Sequence, residues 1–116
     1  KKIFPTYYFT QDVISLFRAL YHNYFDLQTN FINYWGAVVD RLGSNKNVIG
    51  TDPLNEPFPV GRNLLDIINL AMPGNADKHL LTPMYENVYD RIKDAGFMSF
   101  EEFPFPDTIG LALGPW

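Results

Sequence analysis

Asn47-Val48-Ile49-Gly50-Thr51-Asp52-Pro53-Leu54-Asn55-Glu56-Pro57-Phe58-Pro59 decides how the rest of the chain is read. It begins apolar and ends in a carboxamide and a carboxylate between prolines. Val48 and Ile49 suit a buried strand, and Leu54 continues that character. Pro57 prevents regular pairing beyond Glu56, so the strand is expected to stop there. A buried strand that delivers a carboxylate to its C-terminal end is how barrel enzymes present catalytic groups.

Upstream lie two helical patterns. Thr10 is placed as an N-cap, with Gln11 and Asp12 in the first turn. Val13, Phe17, Leu20, Tyr21 and Tyr24 recur at helical spacing, and Ile14 and Leu16 widen the face, which predicts a helix from Gln11 to about Asn23. A second helix is predicted over Leu27–Leu42, with Phe31, Tyr34, Trp35, Val38, Val39 and Leu42 on its apolar stripe. Gly43-Ser44-Asn45 supplies its stop.

Downstream, Gly61-Arg62-Asn63 reads as a turn and Leu64 to Ala71 as a short helix, broken by Met72-Pro73-Gly74-Asn75. This segment has the character of an enlarged βα loop, the kind that builds substrate sites in barrels. Thr82-Pro83 opens another predicted helix, with Thr82 as cap and Pro83 at its first position. Tyr85, Val88, Tyr89 and Ile92 form its buried face, and Gly96 ends it. Phe97-Met98-Ser99-Phe100 is a second apolar strand, followed by Glu101-Glu102. Two strands joined by a helical crossover make a βαβ unit, parallel in nearly all cases.

Composition excludes several classes of function. The 116 residues carry a net charge of −4, so there is no basic footprint for nucleic acid. Apolar runs are too short for a membrane span. With 47% hydrophobic and 16% aromatic residues, disorder is not expected. The absence of cysteine excludes thiolate chemistry and makes a zinc site improbable. His22 and His79 have no partner at metal-ligand spacing and are read as surface or structural residues. No phosphate-binding glycine loop is present, and no cofactor or metal is implied.

Val48-Ile49-Gly50-Thr51-Asp52-Pro53-Leu54-Asn55-Glu56-Pro57-Phe58 resembles the Asn-Glu-Pro signature of family 5 glycoside hydrolases, which are (β/α)8 barrels. Within them it is most similar to endoglycoceramidases. Tyr34-Trp35-Gly36-Ala37-Val38-Val39-Asp40-Arg41-Leu42 resembles the helix before that strand. Ser99-Phe100-Glu101 and Phe105-Pro106-Asp107-Thr108 resemble the region of the fifth strand. Thr51 stands where an aromatic is common, and Glu102 where a proline is expected.

The resemblance implies an α/β fold: a partial (β/α)8 barrel from roughly helix 3 through strand 5, with residues 1–116 an internal fragment of one catalytic domain. It implies that Glu56 is the acid/base of a retaining glycosidase and that Asn55 bonds the sugar 2-hydroxyl. The nucleophile would be a glutamate on strand seven, outside this chain. Glu101 and Glu102 also follow a strand, but the family pattern places a non-nucleophilic glutamate there. The fragment alone is therefore expected to be inactive and, with open strand edges, poorly soluble or molten.

The substrate implied is a glycolipid or oligosaccharide, cleaved between oligosaccharide and ceramide, with membrane contact only through the substrate. Secretion or a lysosomal location is implied by resemblance alone. An endo-β-glucanase fragment and a non-catalytic carbohydrate-binding piece are the alternatives. Phe58, assigned to substrate binding, Phe103, Phe105 and Trp116 lie in loops. They either stack on sugar or lipid or fold back on the core. Trp35, Tyr34, Tyr85 and Tyr89 are assigned to the core, and Asp52 to a structural role.

Overall fold

The computed structural model describes residues 7, 10–54, 57–60, 64–70, 72, 74–93 and 98–99. In chain order these form α1 (Gln11–Tyr21), α2 (Leu27–Leu42), β1 (Gly50–Thr51), α3 (Leu64–Leu70), α4 (Thr82–Ile92) and β2 (Met98–Ser99). A single 3₁₀ turn, Tyr24–Asp26, precedes α2, and a π-helical turn, Asp77–Leu81, runs into α4. The two strands pair in parallel, Gly50 opposite Met98 and Thr51 opposite Ser99, with α3 and α4 in the crossover. That is the predicted βαβ connection.

The strand is shorter than the predicted Val48–Leu54 run, because Pro53 brings no N–H to a ladder. Its two faces also differ. Val48 packs against the cluster of Val39, Val88 and Ile92. Ile49, one residue on and therefore on the opposite face, is 72% exposed, which corrects its assignment as a buried position.

Helix starts and stops depart from the sequence reading in instructive ways. Thr10 sits at the N-cap of α1, but its hydroxyl donates back to the Tyr7 carbonyl (2.7 Å) instead of accepting a helix N–H. Gly43 keeps a right-handed φ of −60° and is no left-handed cap. The end of α2 is closed by successive turns, Asn45 N–H to the Leu42 carbonyl (2.8 Å) and Val48 N–H to the Asn45 carbonyl (3.0 Å).

Thr82 does not cap α4 either. Helical backbone already runs from Asn75, through the π turn, into α4, so Pro83 lies inside a continuous helical path. A proline ring collides with the carbonyl four residues earlier and offers that carbonyl no N–H. Here that carbonyl belongs to His79. The wider π turn just upstream is the geometry that accommodates such a break.

The buried faces are rotated from the predicted ones. On α2 the buried residues are Gln28, Gly36 and Val39, whereas Tyr34 is 60% exposed and only meets Trp35 edge-on at 5.5 Å. On α4 they are Met84, Tyr85, Val88 and Ile92, and Tyr89 is half exposed. Both Tyr34 and Tyr89 are therefore surface residues, while Tyr85 belongs to the core as assigned. The reason lies in the α2–α4 contact: Gly36 faces Arg91, whose guanidinium occupies the space a Cβ at 36 would need. Arg91 then pairs with Asp40 at 2.9 Å on the surface, a contact worth little in stability.

The principal core joins α1 (Leu20, Tyr21), the helical run 80–85 (Leu80, Leu81, Met84, Tyr85) and the segment after β1 (Phe58, Val60). A buried amide ties these parts together. Gln28 of α2 donates to the Leu20 and Tyr21 carbonyls at 3.1 and 3.3 Å, and its own oxygen accepts from Asn87 of α4 at 3.1 Å. One side chain thus meets the carbonyl end of α1 and the flank of α4.

Replacing Gln28 by Ala removes the side-chain donor to the Tyr21 carbonyl and leaves the Leu20 carbonyl only the long bond from the Asn23 N–H (3.4 Å). It is expected to destabilise the protein by about 1–3 kcal/mol, against less than about 0.5 kcal/mol for exposed Asn33→Ala. Denaturant titration of the two variants checks this.

Candidate functional site

Beyond Thr51 the chain can no longer act as a strand. Pro53, Pro57 and Pro59 have no N–H to give. The segment nevertheless runs inside: Pro53, Pro57, Phe58 and Val60 are buried and Leu54 is half-buried. Buried carbonyls need donors, and here they come from helices. The Tyr85 hydroxyl of α4 donates to the Leu54 carbonyl at 3.1 Å. The Tyr21 hydroxyl of α1 donates to the Phe58 carbonyl, also at 3.1 Å.

Asn55 and Glu56, the predicted sugar-binding amide and acid/base, lie outside the described residues, as do Glu101, Glu102, Phe103, Phe105 and Trp116. The two tyrosine hydrogen bonds fall on the carbonyls immediately bracketing Asn55-Glu56-Pro57. Neither tyrosine was singled out for this from sequence. The available signal was a tyrosine, not a phenylalanine, on each buried helix stripe, since a buried phenol needs a partner.

Phe58 is 6% exposed. Its ring lies 6.1 Å from that of Phe17 at 57°, and Phe17 in turn lies 5.9 Å from Tyr21. Of the two arrangements open to it, this is the one folded back on the core. Asp52 is exposed. The Thr51 hydroxyl is buried without a hydrogen-bond partner among the described residues.

Two cavities flank this region. One, of about 330 Å³, is walled by apolar atoms of Leu16, Phe17, Leu20, Leu27, Phe31 and Leu54. The other, of about 310 Å³, brings together His22, Val60, Asp66, Asn69 and His79. The histidines that stood apart in sequence thus share one cleft. Among the described residues no group of three or more histidine, aspartate or glutamate side chains is placed to hold a metal ion. No described helix is long and apolar enough to cross a membrane.

The chain is similar to two endoglycoceramidases. It is 29% identical over 93 residues to one from Cyanea nozakii, 80% of this chain and 18% of that protein. It is 32% identical over 87 residues to one from Hydra vulgaris, 75% of this chain and 16% of that protein. The chain therefore spans less than a fifth of either relative. At the coarse level the relationship is to glycosidases. No protein-family model matches the chain, and no solved structure matches it.

Burial, and secondarily the nearby Tyr85, pushes the Tyr21 phenol well above its ordinary value. The folded state therefore holds the neutral, donating form more tightly than the unfolded state does. That contribution is complete below the unfolded value of about 10 and is lost as pH rises past it toward the folded value. The stability advantage of the wild type over Tyr21→Phe is expected to shrink above pH of about 10, by up to about 1.4 kcal/mol per pH unit. Paired melts across the alkaline range measure it.

Proposed function

We propose that this chain is a sector of a retaining glycoside hydrolase of endoglycoceramidase type, which cleaves the bond between oligosaccharide and ceramide. The sequence similarity to two endoglycoceramidases carries this reading. The parallel strand pair with its helical crossover supports it, since βαβ units are what a (β/α)8 barrel repeats. So does the apolar exposure of Ile49, just before β1, and of Leu65 and Ile68 on α3, which neighbouring barrel units would cover.

In this reading Glu56 is the acid/base. Its carboxylic proton passes to the glycosidic oxygen as the bond to the anomeric carbon breaks. A second carboxylate attacks that carbon from the other face, about 5–5.5 Å from the first in enzymes of this kind. Glu56, now ionised, then takes a proton from water while the water oxygen displaces the second carboxylate. Asn55 bonds the 2-hydroxyl, a contact that strengthens toward the transition state. The second carboxylate belongs to a later part of the parent protein, so the 116 residues alone would not turn over substrate. The chemistry asks for a carboxyl group whose pKa is raised and whose position is fixed. The buried Pro53, Pro57 and Phe58 on either side of Glu56 would make a suitable mount.

In the complete protein, Glu56→Gln is expected to lower hydrolysis of an unactivated glycolipid by roughly 10²–10⁴-fold, the usual contribution of general acid catalysis. Cleavage of an aryl glycoside with a good leaving group should lose far less in its first step, because that oxygen leaves without a proton. Burst kinetics with the aryl substrate separate the two steps. An equal first-step loss with both substrates would remove Glu56 from the role.

A further inference from the structure

We infer that Tyr21 and Tyr85 are positioning residues that hold the two ends of the segment bearing the acid/base, an inference that rests on the function proposed for Glu56. The Tyr85 hydroxyl fastens the Leu54 carbonyl and the Tyr21 hydroxyl the Phe58 carbonyl, each at 3.1 Å. One bond lies before Asn55-Glu56-Pro57 and the other immediately after it. They come from different helices, α4 and α1, so the segment is held from two directions.

A regular ladder is poorly placed to do this instead. A strand would hold the segment through a ladder, but Pro53, Pro57 and Pro59 remove three of its N–H donors. Phenylalanine would fill both buried positions nearly as well as tyrosine. Buried phenolic hydroxyls are retained where they meet an acceptor, and here both acceptors are in one short segment. The spacing of the two donors is itself fixed. Gln28 bonds the Tyr21 carbonyl on one side and Asn87, two residues beyond Tyr85, on the other. A phenol is protonated, and so able to donate, through the neutral range, and burial pushes that of Tyr21 higher still. Phe58, whose ring packs on Phe17, stiffens the same end.

Such a frame matters to proton transfer more than to binding. A displacement of about 1 Å at a reacting group can cost on the order of 10²-fold in rate. Substrate affinity, which is spread over many contacts, responds less.

The test uses the complete protein with Tyr21→Phe, Tyr85→Phe and the double variant, each assayed well below its thermal midpoint. The substrates are an oligosaccharyl ceramide and the dinitrophenyl glycoside of the same oligosaccharide. Each single variant is expected to lose about tenfold or more in kcat on the glycolipid at nearly unchanged KM, and less than about threefold in the first step on the aryl glycoside. On a Glu56→Gln background, Tyr85→Phe should cost the glycolipid reaction nothing more.

Equal losses on both substrates, or a lower thermal midpoint with intact kcat, would overturn the positioning role and leave the tyrosines as packing. If Glu56→Gln itself fails to separate the two substrates, the assignment of Glu56 fails first, whatever the tyrosines do. If Tyr21→Phe does not fold, the part-buried bond of Tyr85 decides the matter alone.

Discussion

Prolines at 53, 57 and 59 take N–H groups away from a segment that is nonetheless buried, and its carbonyls must find donors elsewhere. That constraint organises the described structure. The donors are hydroxyls on α1 and α4, so the segment's position depends on where those helices lie. The helices in turn are set by the Gln28 amide and by the apolar contacts of Leu20, Leu81 and Met84. Side-chain hydrogen bonding and core packing are here one system: the same tyrosines serve both.

The arrangement suits the chemistry proposed for it. A general acid must be presented at one place, in a partly dry environment, and without the slack of an ordinary loop. Strand pairing ends at Thr51, yet Pro53, Pro57, Phe58 and Val60 beyond it are buried. Rings of Phe58, Phe17 and Tyr21 lie beneath it, and phenolic hydroxyls fasten it at either end. Phe58 fills space in the core beside Phe17.

Local signals were overruled where tertiary contacts competed with them. Thr82-Pro83 has the composition of a helix start, but the helical path begins at Asn75 and passes through a π turn before the proline. The buried Leu80 and Leu81 explain why: that turn places both in the core, and breaking the helix at Thr82 would give up their packing. On α2 the aromatic stripe read from spacing includes Tyr34, yet the helix turns Gly36 and Gln28 inward instead. A small residue lets α4 approach, and a buried amide satisfies three groups on two neighbours.

The chain's periodicity was enough to place α2 at Leu27–Leu42 and α1 from Gln11, though it ran α1 on to about Asn23 where the helix ends at Tyr21, and to foresee parallel strands around a helical crossover. Those follow from spacing, caps and breakers, which act within a few residues. The Asn55-Glu56-Pro57 stretch was legible too, because its residue types are themselves the chemistry. The side chains that fasten it were not, since Tyr21 lies 37 residues from Phe58 and Tyr85 lies 31 from Leu54. No local rule reports which carbonyl a distant hydroxyl will reach. Only the packing of α1 and α4 against the segment decided that, and with it which aromatic rings face inward and which stay in water.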